Sequence, residues 1–265
     1  MPHMPKPLVI ANFKMNPVAM SAARGLLAQI FKNLARIRSV EVVVAPPFPY
    51  LALARTLTRE AKLGAQNVFW ETAGAFTGEV SPAMLRDLGV RYCIIGHSER
   101  RRILGESDAM VNKKVASALQ AGLTPVIAIG EEVQESQEVV PPILSQQLSR
   151  SIHGIPKKKL SGIVVAYEPV WAIGTGQADT PDNATRRAIY IRQLLTKIAG
   201  APIANTIRVI YGGSVTAKNA SAFLSDDIRG MEGLLVGSAS LQAGEFIRLV
   251  ESVARRRHGP RRTSR

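Results

Sequence analysis

The chain has 265 residues, of which 46% are apolar and 20% are charged, so it is long enough to bury the core of one α/β domain. Its single cysteine, Cys93, excludes an internal disulfide and favours the cytoplasm, and no apolar run approaches the roughly 20 residues of a membrane span. The formal net charge of +14 would suit a nucleic-acid-binding protein, so the distribution of the basic residues along the chain matters more than their number.

The first apolar run begins at Leu8, behind an amino-terminal segment that we expect to lie outside the domain. Residues 1–6 are predicted to be a short extension. The stretch from Leu8 to Ala11 that follows them is too short to be the apolar part of a signal peptide.

Short runs rich in β-branched residues recur along the chain and are predicted to be strands. They are Leu8–Asn12, Val40–Ala45, Lys62–Gln66, Tyr92–Gly96, Thr124–Ile129, Gly162–Tyr167, Ile207–Tyr211 and Gly233–Val236. Several are nearly continuous apolar runs, such as Val42-Val43-Val44 and Ile163-Val164-Val165. Strands of this kind are covered on both faces, which is typical of a parallel sheet.

Amphipathic stretches lie between these strands and are predicted to be helices. They include Val18–Ile37, Asp108–Ala121, Ile143–Ile152, Asp182–Ala199 and Ala239–Arg255. Eight strands that alternate with helices over about 250 residues predict a closed (β/α)8 TIM barrel. On pattern alone, an open doubly wound sheet remains the alternative. No low-complexity linker divides the chain, so residues 1–265 are predicted to form a single α/β domain.

Polar and glycine-rich segments follow five of the predicted strands. They are Asn12-Phe13-Lys14, His97-Ser98-Glu99-Arg100, Glu168-Pro169, Gly212-Gly213-Ser214 and Gly237-Ser238. In a barrel, the carboxyl ends of all strands meet on one face, and the chemistry of barrel enzymes is located there. We therefore expect these five segments to form one site.

Glycine-containing segments after the last strands are candidates for binding a phosphate group. Gly212-Gly213-Ser214 lets backbone amides approach an anion, and Gly237-Ser238-Ala239-Ser240 is predicted to open the last helix, whose free N–H groups favour negative charge. Gly174-Thr175-Gly176 adds amides after strand six, but Asp179 stands where a dinucleotide fingerprint would need another glycine. Each segment alone is equally well explained as a tight turn, whereas three on one face favour a phosphate site.

Three polar side chains at different strand ends have the types that proton transfer beside a carbonyl requires. Enolisation needs a base, a hydrogen-bond donor to the oxygen and a means of balancing negative charge. Glu168, His97 and Lys14 supply these types, and His97 is the one histidine of four that directly follows an apolar strand. Each residue alone is more often a solvated or structural side chain; together they indicate an acid–base site.

Three aromatic residues, Phe69, Trp70 and Phe76, lie in the segment from Asn67 to Gly78, between a strand and the next predicted helix. Aromatic side chains are seldom left in water, so this loop either folds back onto its own barrel or forms an interface with another protein.

The last fourteen residues, Ser252 to Arg265, carry six arginines and no acid. From about residue 256 to residue 265 we predict a disordered, solvated tail beyond a frayed helix end. Weak adhesion of this tail to RNA or another polyanion is the alternative, and no other nucleic-acid binding is expected.

Four segments closely resemble the signatures of the triosephosphate isomerase family. They are Asn12-Phe13-Lys14-Met15-Asn16, Gly96-His97-Ser98-Glu99-Arg100-Arg101, the run from Ala166 to Gly176, and Tyr211-Gly212-Gly213-Ser214-Val215. The likeness runs from about Val9 to Leu249 in the family's order and spacing. It implies interconversion of dihydroxyacetone phosphate and D-glyceraldehyde 3-phosphate through an enediolate, in glycolysis and gluconeogenesis, without a metal or an organic cofactor.

The resemblance also implies a role for each matching residue. Glu168 would be the base, and a neutral His97 would polarise the carbonyl group of the substrate. Lys14 would stabilise the anionic intermediate, with Asn12 as a neighbouring hydrogen-bond donor. Glu99 would be the carboxylate that positions the site. The phosphate would be held by Asn12 and Lys14 and by the backbone amides of Gly174, Ser214, Gly237 and Ser238.

The family further implies a lid and a homodimer. The lid would comprise Pro169, Val170, Trp171, Ala172, Ile173, Gly174, Thr175 and Gly176, and Tyr211 and Ser214 would latch it when closed. In the dimer, the loop around Thr77 would dock beside Lys14 and Glu99 of the partner subunit.

Three positions depart from the pattern that is common in the family. Ser238 replaces a glycine and would be mildly strained if its φ is positive, Gln177-Ala178-Asp179 follows the lid, and Ile129 replaces a cysteine. Two rival functions also stay open: isomerisation of a four-carbon ketose phosphate with the same residues, and a non-catalytic barrel that binds polyanions.

Overall fold

A computed structural model describes residues 5–58, 60–134, 140–174, 178–224 and 230–256. Eight parallel strands form a closed barrel in chain order, and the last strand pairs with the first. They are β1 (Leu8–Asn12), β2 (Glu41–Ala45), β3 (Lys62–Ala65), β4 (Val90–Ile95), β5 (Thr124–Ile129), β6 (Val164–Tyr167), β7 (Arg208–Tyr211) and β8 (Gly233–Val236). The predicted (β/α)8 barrel is thus confirmed, and the open doubly wound sheet is wrong.

Ten helices within the described residues surround this barrel. They are α1 (Met20–Leu34), α2 (Leu51–Leu57), α3 (Pro82–Asp87), α4 (Ser98–Leu104), α5 (Asp108–Gln120), α6 (Pro142–Ser151), α7 (Lys157–Leu160), α8 (Pro181–Ala199), α9 (Ala201–Ala204) and α10 (Ala243–Arg256). Helix α1 shows why they form, because its buried residues Ala23, Leu27, Ile30 and Leu34 recur every three or four positions.

Side-chain caps fix where several helices begin. Ser81, Ser107 and Thr180 each accept a hydrogen bond from the backbone N–H three residues further on, at the starts of α3, α5 and α8. Proline follows Ser81 and Thr180 directly, a position where its missing N–H costs nothing.

The last helix begins later than its sequence pattern predicts. Residues Ser238–Leu241 form a single 3-10 turn, closed by a hydrogen bond from Ser240 N to Gly237 O, and α10 begins only at Ala243. Between them Gln242 is extended, which interrupts the helix. The prediction that Gly237 opens the last helix is therefore wrong, although the amides of the turn still stand at the end of β8.

The core has two layers, which follow from the alternation of side chains along each strand. Leu8, Ile10, Val43, Val164 and Ile210 belong to a cluster inside the barrel. Their neighbours along the strands, such as Val9 and Val44, point outward and pack under the helices. A filled interior leaves the ends of the barrel as the places for polar side chains.

Two predicted segments fall outside the described residues: positions 1–4 of the amino-terminal extension and positions 257–265 of the basic tail. Within the described chain, none of the helices combines the length and the apolar character that a membrane crossing requires.

Candidate active site

A cavity of about 570 Å³ opens at the carboxyl ends of the strands. The predicted site residues that line it are Asn12, Lys14, His97, Glu168, Ile173, Gly174, Ser214, Gly237 and Ser238. These residues follow β1, β4, β6, β7 and β8. The structure therefore brings together residues that the sequence spreads over more than 200 positions.

Glu168 lies at the end of β6 and is 1% exposed. Its Oε2 atom accepts a hydrogen bond from the backbone N–H of Ser98 at 3.0 Å. Its Oε1 atom accepts none from the described residues, even though it is buried. A buried carboxylate oxygen without a donor is rare in folded proteins, so this oxygen is free to accept a proton.

His97 precedes α4 and presents its imidazole between two carboxylates. The backbone N–H of Glu99 donates to Nδ1 at 3.2 Å, and Nε2 lies 3.3 Å from Oε1 of Glu168. Because Nδ1 accepts a hydrogen bond, a neutral imidazole carries its proton on Nε2. His97 can therefore donate a hydrogen bond from Nε2 without being charged.

Lys14 is held by both its backbone and its side chain. Its φ of 52° is left-handed, which is uncommon for a residue other than glycine and costs free energy unless neighbours fix it. Asn12 Oδ1 accepts from the Lys14 N–H at 3.0 Å, and Gln66 donates to the Lys14 carbonyl at 2.9 Å. The Nζ atom lies 2.5 Å from Oε1 of Glu99. This backbone strain is consistent with a functional position.

The turn after β8 lies beside this lysine. A methyl group placed on Gly237 would be 3.9 Å from the Nζ of Lys14. Ser238 is exposed and lines the cavity, and Lys14 is the one non-glycine residue of the described chain with a positive φ. The strain considered for Ser238 is therefore absent, and the exposed amides at this turn are available to an anion near the Lys14 ammonium.

The predicted lid is described from Pro169 to Gly174, whereas Thr175 and Gly176 lie outside the described residues, as does Gln177. Trp171 Nε1 and Tyr167 Oη both donate to Oε1 of Glu131, at 3.1 and 2.7 Å. Burial raises the pKa of the Glu131 carboxyl, and these two donors oppose that shift only in part. Val170 N also donates to the Glu131 carbonyl at 2.9 Å. Glu131 thus anchors the first part of the lid.

Tyr211 and Ser214, the predicted latch residues, each contact one side of the lid segment. The Asp179 N–H donates to Tyr211 Oη at 3.1 Å, just beyond the lid, and Ser214 Oγ donates to the Ala172 carbonyl at 2.9 Å. Both residues are thus near the lid, as the resemblance implies.

Thr77, the predicted dimer residue, does not line the cavity and lies in a loop whose residues 71–79 are all exposed. Phe69 packs against Trp70 and Phe76, with ring centroids 4.1 and 4.8 Å apart. The loop is therefore partly ordered by its own aromatic residues, while Phe76 remains 42% exposed.

Three contributors to the site are missing from the sequence predictions: Gln66, Glu131 and the Ser98 backbone N–H. The one sequence signal for Glu131 is its place in Gly130-Glu131, directly after the apolar strand β5. Within the described residues, no group of three or more His, Cys, Asp or Glu side chains is placed to hold a metal ion.

Comparison with known proteins agrees with this geometry. The family model described as triosephosphate isomerase matches residues 7–253. The chain is 40% identical over 251 residues to the triosephosphate isomerase of Carboxydothermus hydrogenoformans, covering 94% of this chain and 99% of that protein. It is 42% identical over 247 residues to that of Chloroflexus aurantiacus (92% and 98%), and 41% identical over 250 residues to that of Alkaliphilus oremlandii (93% and 99%).

Proposed function

The chain belongs to the triosephosphate isomerase family, and we propose that Glu168, His97 and Lys14 carry out its isomerisation. The activity is that of an aldose–ketose isomerase of glycolysis, which interconverts dihydroxyacetone phosphate and D-glyceraldehyde 3-phosphate. The observation that carries the assignment of residues is the 3.3 Å approach of Glu168 Oε1 to His97 Nε2 in the cavity that Lys14 also lines.

In the proposed reaction, Glu168 takes a proton from the carbon beside the substrate carbonyl. The electron pair of that C–H bond forms the carbon–carbon double bond of an enediolate, and the carbonyl oxygen becomes negative. His97 donates a hydrogen bond to this oxygen from Nε2, and the Lys14 ammonium balances the charge. His97 gives its Nε2 proton to this oxygen and takes up the proton of the neighbouring hydroxyl, whose oxygen becomes the new carbonyl oxygen. Glu168 returns its proton to the former carbonyl carbon, so both groups are regenerated.

Glu99 and Asn12 have positioning roles in this proposal. Glu99 holds the Lys14 ammonium with Oε1, and its backbone N–H fixes the proton of His97 on Nε2. Asn12 supports the left-handed backbone at Lys14 through Oδ1. Preorganised groups of this kind need no rearrangement when charge develops, which is the main source of electrostatic catalysis.

The phosphate of the substrate is proposed to bind at the backbone amides of Gly174, Ser214, Gly237 and Ser238. All four residues line the cavity that holds Glu168. The lid from Pro169 to Gly176, latched by Tyr211, is proposed to exclude water from the enediolate.

Isomerisation of D-glyceraldehyde 3-phosphate, coupled to NADH oxidation, tests the assignment of the base. We expect Glu168→Asp to lower kcat by about 100-fold or more, because the shorter side chain withdraws the carboxylate from the substrate. KM should change less, because the phosphate contacts remain. A variant with wild-type kcat would contradict the role of Glu168. Parallel assays with a four-carbon ketose phosphate measure the substrate preference.

The chain is further proposed to act as a homodimer in the cytoplasm. Met15 and Val18, on either side of Asn16-Pro17, are 90% and 94% exposed, and Phe76 adds apolar surface in the protruding loop. Exposed apolar residues close to a functional lysine are typical of an interface. The buried, unpaired Cys93 is compatible with a reducing compartment.

A further inference from the structure

The barrel has a second polar end, opposite the cavity. We define the amino-end face as the segments that lead into β1 to β7 together with the first two residues of each strand: residues 5–9, 35–42, 58, 60–63, 88–91, 121–125, 152–165 and 205–209. These segments converge because the strands are parallel and in close register, as the pairs Leu8–Glu41 and Val164–Arg208 show.

Basic residues dominate this face. Its described cations are Lys6, Arg36, Arg38, Lys62, Arg91, Lys157–Lys159 and Arg208, whereas its described carboxylates are Glu41 and Glu60. All of these cations except Arg208 are exposed to solvent. Much of the positive charge of the molecule therefore lies at one end of the barrel.

The carboxylates of the face are already paired. Glu41 binds Lys62 at 2.6 Å and Arg208 at 2.7 Å, and Glu60 lies 3.6 Å from Arg38. This leaves Lys6, Arg36, Arg91 and Lys157–Lys159 without an ion pair to any described carboxylate. Six exposed cations thus share one surface on which no described carboxylate pairs with them.

The helix dipole explains only some of these cations. Basic residues are favoured in the last turn of a helix, where they meet the free carbonyl groups. Lys6 precedes a strand and Arg91 lies within β4, so neither is in the last turn of a helix. Arg36 follows the cap of α1, and Lys157–Lys159 lie in the last turn of the four-residue helix α7. A surface that concentrates exposed cations with few carboxylates beside them is suited to binding an extended polyanion.

We propose that the amino-end face binds the phosphodiester backbone of nucleic acid without sequence preference. The large apolar residues that are most exposed, such as Met15, Val18 and Ile103, lie outside this face, so it lacks the side chains that insert into a bilayer. Phe76, the most exposed aromatic residue, also lies elsewhere, so stacking on bases contributes nothing. Recognition therefore rests on charge and falls steeply with salt.

This surface is separate from the catalytic end. Glu168, His97 and Lys14 follow the carboxyl ends of β6, β4 and β1, a full strand length away from the amino ends. Nucleic acid bound at the amino-end face therefore leaves the cavity open, and the isomerase activity of a charge variant reports whether it is folded.

Binding of a fluorescently labelled duplex DNA of mixed sequence, measured by anisotropy between about 50 and 200 mM salt, tests the proposal. If all six unpaired cations meet phosphates, the slope of log K against log salt is about −5. The double variant Lys157→Glu, Lys159→Glu should lower the affinity at the lowest salt at least about tenfold and reduce the slope by about 2. The matched control Arg24→Glu, Arg186→Glu changes the net charge equally on exposed residues of α1 and α8.

The proposal is supported if the control keeps at least about a third of the wild-type affinity while the amino-end variant loses its binding. Equal losses in both variants would show a response to net charge alone and overturn it. A third variant lacks residues 257–265. If DNA binding is lost only in this variant, the carboxyl-terminal arginines bind the DNA and the proposal is overturned. Capture by phosphatidylserine vesicles without DNA binding would identify a membrane surface instead.

Discussion

At the scale of single residues, the position of the base depends on a glycine from a neighbouring strand end. A Cβ atom on Gly212 would lie 2.9 Å from Cγ of Glu168 and 3.3 Å from the Tyr167 carbonyl oxygen. The first distance is well inside van der Waals contact. The φ of Gly212 is not positive, so the position requires space and not an unusual backbone. The side chain of Glu168 occupies the volume that the Cβ atom of any other residue at position 212 would need.

Gly212→Ala should therefore lower kcat while leaving most of the structure intact. The added methyl group has to displace Glu168, and a shift of the reacting group by about 1 Å costs up to about 100-fold in rate. We expect at least a tenfold loss in kcat, on the same basis, with a smaller change in KM. Steady-state kinetics with D-glyceraldehyde 3-phosphate measure both values.

Gly25→Ala is the matched control for this substitution. A Cβ atom on Gly25 meets nothing within 4 Å, and the residue lies within α1. Alanine there should leave the kinetics unchanged and stabilise the helix by about 0.5–1 kcal/mol. Unchanged kcat in Gly212→Ala would show that Glu168 does not need this space.

The sequence predicts the reacting side chains better than the groups that hold them in position. Glu168, His97 and Lys14 are recognisable because each has a reactive type and follows an apolar strand. Gln66 and Glu131 act through contacts with Lys14 and Trp171, which are 52 and 40 residues distant in the chain. The Ser98 amide acts through its backbone, which carries no sequence signal. Such roles depend on packing across the barrel and appear only in three dimensions.

At the scale of the elements, a polar cluster joins four strands at the amino end of the barrel. Lys62 Nζ and Tyr92 Oη both donate to Oε1 of Glu41, and Arg208 donates to Oε2. Burial on its own raises the pKa of Glu41, but these donors and the charge of Arg208 outweigh it and lower the pKa to about 2. The ionised Glu41 therefore joins β2 to β3, β4 and β7.

Glu41→Gln should remove a pH-dependent part of the stability. A carboxylate with a lowered pKa stabilises the fold above its unfolded pKa, and this contribution is lost as the pH falls from about 4.5 towards 2. The lowering corresponds to at most about 3 kcal/mol. We expect wild type to be more stable than the variant at neutral pH and the difference to shrink steadily below pH 4.5. Urea unfolding at fixed protein concentration across this range measures it.

Glu60→Gln serves as the control, because the side chain of Glu60 is 50% exposed and its arginine partner is 3.6 Å away. An exposed pair of this kind contributes less than about 1 kcal/mol. A stability difference between wild type and Glu41→Gln that is independent of pH would contradict the role of its charge.

The order of the elements could be predicted from sequence, as could the bounds of β1, β5 and β8, whereas most ends of the helices could not. Apolar runs such as Val42–Val44 identify the strands, because both faces of a parallel sheet are buried. The start of α10 was misplaced because Ala239 and Leu241 continue its apolar pattern, while the chain actually forms a 3-10 turn there. Helices α7 and α9 have four residues each, too few for any period to be visible.

At the scale of the whole molecule, the amino-end face and the loop around Thr77 both extend beyond the barrel core. The first carries unpaired cations, and the second carries the exposed ring of Phe76 within the exposed residues 71–79. These surfaces have different chemistry, so they are suited to different partners. Apolar surface favours a protein, and here the proposed partner is a second copy of the chain.

Splitting the proposed dimer should lower the isomerase activity, because the interface is proposed to hold the segment that contains Lys14. Thr77→Arg places a bulky cation in the loop expected to dock beside the partner subunit's Lys14. We expect this variant to sediment as a monomer at assay concentrations and to lose at least about tenfold in kcat, since small displacements of catalytic groups have effects of this size. Thr206→Arg, the same change at an exposed position before β7, should remain dimeric and active. A Thr77→Arg monomer with full activity would show that one chain holds its own site, and a persistent dimer would place Thr77 outside the interface.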